Sequence, residues 1–196
     1  AAQVGRCLRV TYDSTVLYDD MSNGGGFASD MENALRMNAD CVAVQTFIGA
    51  PGESRSLELL ARTADAGARY GVPALGVVAV GKEMERTEKF FLLATRVLAE
   101  NGANIVKSYY CEGFERVAAA CPVPIVIAGG KKLPEAEALE MAYRAIQEGA
   151  RGVDMGRNIF QSDCPAGMAQ AIGKVVHKGY TPQRAYEVYQ EIKHQK

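Results

Sequence analysis

Short apolar runs alternate with longer segments of helical period along most of the chain. Residues 7–12 predict an opening strand, followed by a polar, glycine-broken stretch that is loosest at Gly24-Gly25-Gly26. Ser29 and Glu32 have the spacing of a capping box and predict a short helix to about residue 37. A second strand over 41–48 closes at the Gly49-Ala50-Pro51-Gly52 turn. The helix predicted over 54–70 places Leu57, Leu60, Ala61, Ala64 and Ala68 on one face and stops at Gly71. Residues 73–80 read as a third strand. A helix over 86–100 follows, striped by Phe90, Ala94, Val97 and Leu98. Strand 104–110, short helix 113–120 and strand 124–128 come next, the last ending in Gly129-Gly130. Pro134 suits the first turn of a helix reaching about residue 148. A sixth strand covers 152–156, Asp163 caps a helix to about His177, and a last helix covers 182–193.

After the opening strand, the predicted strands are spaced 20 to 33 residues apart, the length of βα units with a parallel, helix-covered sheet. No G-x-G-x-x-G follows a strand, which disfavours a doubly wound dinucleotide-binding sheet. A (β/α)8 barrel uses about 250 residues, or roughly 31 per unit. The pattern therefore predicts a single partial TIM-barrel domain over 1–196, an α/β fold with six units and about two N-terminal βα units fewer than a full barrel. Such a sheet leaves parallel edges that a partner or a further segment would have to close.

Composition narrows the function classes. The 22 basic and 23 acidic side chains leave a formal charge of −1, without the basic stripe that nucleic acid requires. The longest apolar run, 73–80, is far short of the roughly 20 residues of a membrane helix. Cys7, Cys41, Cys111, Cys121 and Cys164 are odd in number and lack CxxC spacing, and no secretory leader precedes them. Reduced thiols in a cytoplasmic protein, with neither a disulfide framework nor a metal site, are the expectation. Cys41, within a strand, reads as a small hydrophobe.

The most informative residue is Lys107, which alternation places with Ile105 and Tyr109 on one face of its strand, opposite Val106 and Ser108. A lysine near the carboxyl end of a barrel strand either extends to solvent or points into the mouth, where barrel chemistry sits. An amine desolvated there loses basicity, and Lys131, Lys132 and Arg157 are expected to add to that effect. As a free amine it attacks a carbonyl and forms a Schiff base, an electron sink for carbon–carbon cleavage. The next two strands end in Gly129-Gly130 and Gly156-Arg157. Bare backbone and one guanidinium on successive loops suit a phosphate. Lys131 and Lys132 are further phosphate candidates. Tyr109 and Tyr110 read mainly as packing. His177 and His194 fall in the terminal helices, away from any strand mouth. The tail over 180–196, with Ala185, Val188 and Ile192 at helical spacing, reads as a docking or oligomer helix.

Three segments carry a resemblance. Asn104-Ile105-Val106-Lys107-Ser108-Tyr109-Tyr110, Val123-Pro124-Ile125-Val126-Ile127-Ala128-Gly129-Gly130-Lys131-Lys132-Leu133-Pro134 and Gly152-Val153-Asp154-Met155-Gly156-Arg157-Asn158-Ile159-Phe160-Gln161 resemble the DeoC/FbaB class I aldolase family, most of all its autoinducer-2-processing thiolase branch. The likeness is strongest over 103–163, looser over 38–102 and weak before residue 30.

The resemblance implies that Lys107 is the Schiff-base lysine and that Gly129, Gly130, Gly156 and Arg157 bind phosphate. It further implies transfer of an acetyl group from a phosphorylated dione, 3-hydroxy-5-phosphonooxypentane-2,4-dione, to coenzyme A. The products are acetyl-CoA and dihydroxyacetone phosphate. Coenzyme A is then a co-substrate, no bound cofactor or metal is implied, and a homo-oligomer, a decamer by resemblance, is expected. A fructose-bisphosphate aldolase or heptulosonate synthase activity is the nearest alternative, and phosphorylated-ligand binding without chemistry is another. Family members carry an Asp-His pair on an early strand that these 196 residues do not contain, which implies impaired activity of this polypeptide alone. The strand at Gly76-Val77-Val78-Ala79-Val80-Gly81-Lys82-Glu83 lacks the tyrosine and Pro-Arg-Gly usual in the family's aldolases, which favours the thiolase.

Overall fold

The computed structural model describes residues 4–13, 24–80 and 85–195. Six parallel strands form a curled sheet in the order in which they occur along the chain. They are β1 (Cys7–Arg9), β4 (Cys41–Thr46), β5 (Ala74–Val78), β6 (Ile105–Tyr109), β7 (Ile125–Ala128) and β8 (Gly152–Asp154). Two further strands, β2 (Thr11–Tyr12) and β3 (Gly26–Phe27), pair as a small antiparallel ladder. The predicted opening strand is thus split at Val10, whose N–H still bonds Ala43 O at 3.0 Å while the chain beyond it turns into the ladder. Most of the glycine-broken stretch (14–23), and Gly81-Lys82-Glu83, lie outside the described residues.

Helices α1 (Met31–Arg36), α2 (Glu53–Tyr70), α3 (Glu88–Glu100), α4 (Phe114–Ala120) and α5 (Glu135–Gln147) alternate with the strands. They are followed by α6 (Gly156–Phe160), α7 (Pro165–Lys178) and α8 (Pro182–His194). Several starts differ from the sequence expectation for identifiable reasons. Asp30, not Ser29, caps α1, its carboxylate accepting the Asn33 N–H at 2.7 Å. Thr87 caps α3, and Pro134 is the extended residue before α5. Cys164 precedes α7, while the Asp163 carboxylate instead pairs with Lys193 Nζ at 2.6 Å. As predicted, α2 ends at Gly71 in the left-handed region, φ +72°.

The buried face of α2 is made by Ser56, Leu59, Leu60, Thr63 and Gly67, rotated from the expected alanine-rich stripe. Its polar members satisfy themselves locally: Thr63 donates to Leu59 O at 2.7 Å and Ser56 to Glu53 O at 2.8 Å. Ser56 Oγ also accepts from the Phe47 N–H at 3.0 Å, tying the helix to the end of β4. In α3 the buried face is Phe91, Ala94, Thr95 and Leu98, with Phe90 only partly covered.

A main core lies between the sheet and the helices α1 to α5. A second core joins Leu139 and Ala142 of α5, Met168 and Ile172 of α7, and Ala185 and Tyr189 of α8. The C-terminal helix therefore docks on its own chain through Ala185, Tyr189 and Ile192. Tyr189 is 1% exposed, and among the described residues its hydroxyl has no hydrogen-bond partner. A buried hydroxyl without a partner is destabilising. Tyr189→Phe is expected to raise unfolding stability by about 1 kcal/mol, seen as a higher urea midpoint at unchanged slope. A lower midpoint would mean that the hydroxyl has a partner.

Candidate active site

Period-two alternation sends odd-numbered residues of β6 to the inside of the curl, where Ile105, Lys107 and Tyr109 are partly covered. Val106 and Ser108 face the helices and are buried. Lys107 is registered between Val77 of β5 and Val126 of β7, at the middle of its five-residue strand rather than near the carboxyl end as expected. Its side chain is 23% exposed and lines a cavity of about 410 Å³ at that end of the sheet. Gln45, Tyr109, Gly129, Gly130, Asp154, Gly156 and Arg157 share the lining. The lysine and all four predicted phosphate residues, drawn from three successive strand ends, thus face one cavity.

The electrostatics differ from the sequence expectation. The charge beside Lys107 is a carboxylate, Asp154 Oδ2 at 2.7 Å from Nζ, rather than a set of cations. Asp154 ends β8, opposite Ala128. It lies within the strand predicted over 152–156, where period two from Gly152 could have placed it on the cavity face, but the sequence reading gave it no role. Lys132 is turned away from the cavity, donating to Glu135 Oε1 and to Leu133 O, both at 2.8 Å. That ion pair holds the Glu135 carboxyl below its ordinary value. Lys131 is exposed and does not line the cavity.

The tyrosine pair divides. Tyr109 lines the cavity beneath the Arg86 guanidinium, 4.4 Å from the ring centroid. Tyr110 points the other way and donates to Glu148 Oε1 at 2.8 Å, with burial and that carboxylate pushing its phenol up to about 12. A phenol is therefore present in the cavity on β6, although β5 has none there. His177 and His194 are exposed on α7 and α8.

One residue that sequence reasoning missed holds the two glycine loops together. Asn158, in α6, is 1% exposed. Its amide donates to Gly129 O at 2.8 Å and to Lys131 O at 3.3 Å, and its Oδ1 accepts the Leu133 N–H at 2.7 Å. A Cβ on Gly129 would come within 2.7 Å of that amide nitrogen and 3.0 Å of Met155 Cα, so only glycine fits. Gly130 takes the left-handed region at φ +64° to turn the chain out of β7. The loop backbone is thus bare on the cavity side and clamped behind.

The sequence profile of the DeoC/LacD family aldolases matches residues 10–162. The chain belongs to that family. An uncharacterized aldolase of Pasteurella multocida is 54% identical over 187 residues, covering 95% of this chain and 64% of the relative. The 3-hydroxy-5-phosphonooxypentane-2,4-dione thiolase of Klebsiella pneumoniae is 57% identical over 164 residues, covering 83% of this chain and 56% of that protein. The chain thus spans between half and two thirds of the length of these aldolase-family relatives. An archaeal fructose 1,6-bisphosphate aldolase superposes with a TM-score of 0.82 at 24% identity, over 90% of this chain and 72% of the other. The fold is accordingly that of an aldolase-type α/β barrel, present as its curled six-stranded part. Among the described residues, no helix is long and apolar enough to cross a membrane.

Proposed function

We propose that this chain carries the Schiff-base half of an acetyltransferase that moves the acetyl group of 3-hydroxy-5-phosphonooxypentane-2,4-dione, phosphorylated autoinducer-2, to coenzyme A. The observation that carries the reading is the convergence of Lys107, Asp154 and the two glycine loops on one cavity. Thiolases at 51% to 57% identity support the choice of substrate.

Asp154 accepts a proton from Lys107, and the freed amine adds to the ketone carbon next to the phosphorylated carbon. Loss of water leaves an iminium. The coenzyme A thiolate adds to the acetyl carbonyl, and the bond between that carbon and the hydroxyl-bearing carbon breaks. Its electron pair flows into the iminium, giving acetyl-CoA and an enamine. A proton taken up at carbon and one water then release dihydroxyacetone phosphate and restore the amine. Asp154 or the Tyr109 phenol is within the cavity to relay these protons.

The phosphoester sits against the bare Gly129, Gly130 and Gly156 backbone, with Arg157 supplying a charged contact. Arg157→Ala is expected to weaken dihydroxyacetone phosphate binding by about tenfold to a hundredfold, as a hydrogen bond to a charged group is worth about 1.5–3 kcal/mol. Titration calorimetry measures this, and unchanged affinity would remove Arg157 from the site.

The Tyr109 phenol in the cavity favours a second reading, aldol cleavage of a phosphorylated sugar through the same Schiff base. Borohydride reduction in the presence of dione and of sugar phosphate, beside an assay for acetyl-CoA, separates the two. Adduct at Lys107 with acetyl-CoA formation supports transfer. Adduct without it supports the aldolase, and no adduct with either substrate overturns both.

A further inference from the structure

The interior wall of the sheet carries a pair of thiols that the proposed reaction does not use. Cys7 is the first residue of β1 and Cys41 the first of β4, and the two are directly registered in parallel pairing. Direct registration puts both side chains on the same face, and period two from Gln45 shows that this is the inner face. Neighbouring strands lie about 4.8 Å apart, inside the roughly 4.4–6.8 Å range of Cα separations that disulfides use. The Cys41 thiol donates to Val42 O at 3.7 Å, and the two thiols lie close enough to perturb one another's acidity.

We propose that Cys7 and Cys41 form an oxidisable dithiol, a thiol–disulfide exchange site for small disulfides of the glutathione class at the amino end of the sheet, opposite the Lys107 mouth.

The pair is asymmetric in the way that exchange requires. The neighbouring Cys7 thiol holds the Cys41 thiol below its ordinary value, whereas Cys41 pushes the exposed Cys7 thiol up. Cys41 is the attacking sulfur and Cys7 the resolving one. The Cys41 thiolate attacks a sulfur of glutathione disulfide, one glutathione leaves as thiolate, and a mixed disulfide forms on Cys41. The Cys7 thiol, losing its proton, attacks the Cys41 sulfur, and the second glutathione leaves. The protein loses two protons and two electrons, and one glutathione disulfide takes them up to become two glutathiones. The new bond ties the edge strand to its neighbour on the wall that also bears Lys107. Cys111, Cys121 and Cys164 are buried, with Cys111 pushed up to about 11 by burial, and serve as internal controls.

The test treats the full chain with glutathione disulfide, alkylates the remaining thiols and maps peptides by mass. The expected result is loss of two alkylatable thiols, a Cys7–Cys41 linked peptide and full recovery with dithiothreitol. Cys7→Ser is expected to leave glutathione trapped on Cys41. The proposal is overturned if both thiols remain alkylatable, if the wild-type chain keeps glutathione on either cysteine without linking them, or if the link joins another pair. None of these readouts depends on substrate, so failure here is separate from failure of the acetyltransferase reading.

Discussion

Replacing Lys107 by alanine is expected to abolish the borohydride-trapped adduct and lower turnover of the phosphorylated substrate by about a thousandfold or more, since no other residue supplies the covalent step. The folded sheet is expected to survive, because the lysine is partly exposed and its partner Asp154 is half exposed, leaving no charge sealed in the core. The check is single-turnover kinetics of the full-length protein together with a circular dichroism spectrum matching the wild type. Asp154→Asn separates proton transfer from attachment: the adduct still forms, but its rate falls by about a hundredfold to ten-thousandfold. Wild-type turnover in the Lys107 variant would sink the Schiff-base mechanism whatever the fate of Asp154.

The largest stability effect is expected at Asn158. Truncation to alanine leaves the Leu133 N–H and the Gly129 and Lys131 carbonyls without their partner. Each buried group left unsatisfied costs about 1–3 kcal/mol, so a total loss of about 3 kcal/mol is expected after water reaches the more exposed of them. Chemical denaturation measures the loss. The same variant is expected to weaken phosphoester binding while leaving adduct formation at saturating substrate nearly intact, because the clamp sets the shape of the loops and not the position of Lys107. A variant as stable as the wild type, with unaltered affinity, would show that the loops hold their form by themselves.

Much of this was legible in the chain because strands of a parallel, helix-covered sheet recur as short runs at βα spacing, and all six were visible as such. Lys107 stood out for the same reason, as a cation at an inward position of one of those runs. The details that escaped have physical causes. Two-residue strands such as β2 and β3 carry too little pattern to detect. The inner face of α2 holds Ser56 and Thr63, whose hydroxyls bond carbonyls of their own helix and so tolerate burial that their composition does not suggest. Asn158 follows a glycine and an arginine and reads as loop, yet its partners lie 25 to 29 residues away, a separation no local rule reaches. Arg86 meets Tyr109 across two strand ends, equally beyond local pattern.

Among the described residues, β1 and β8 each have a hydrogen-bonded neighbour on one side only. Their other rims expose rows of peptide dipoles spaced to accept another extended backbone. Association of copies through main-chain pairing along such rims is the expected consequence, with size-exclusion chromatography over a concentration series as its measure.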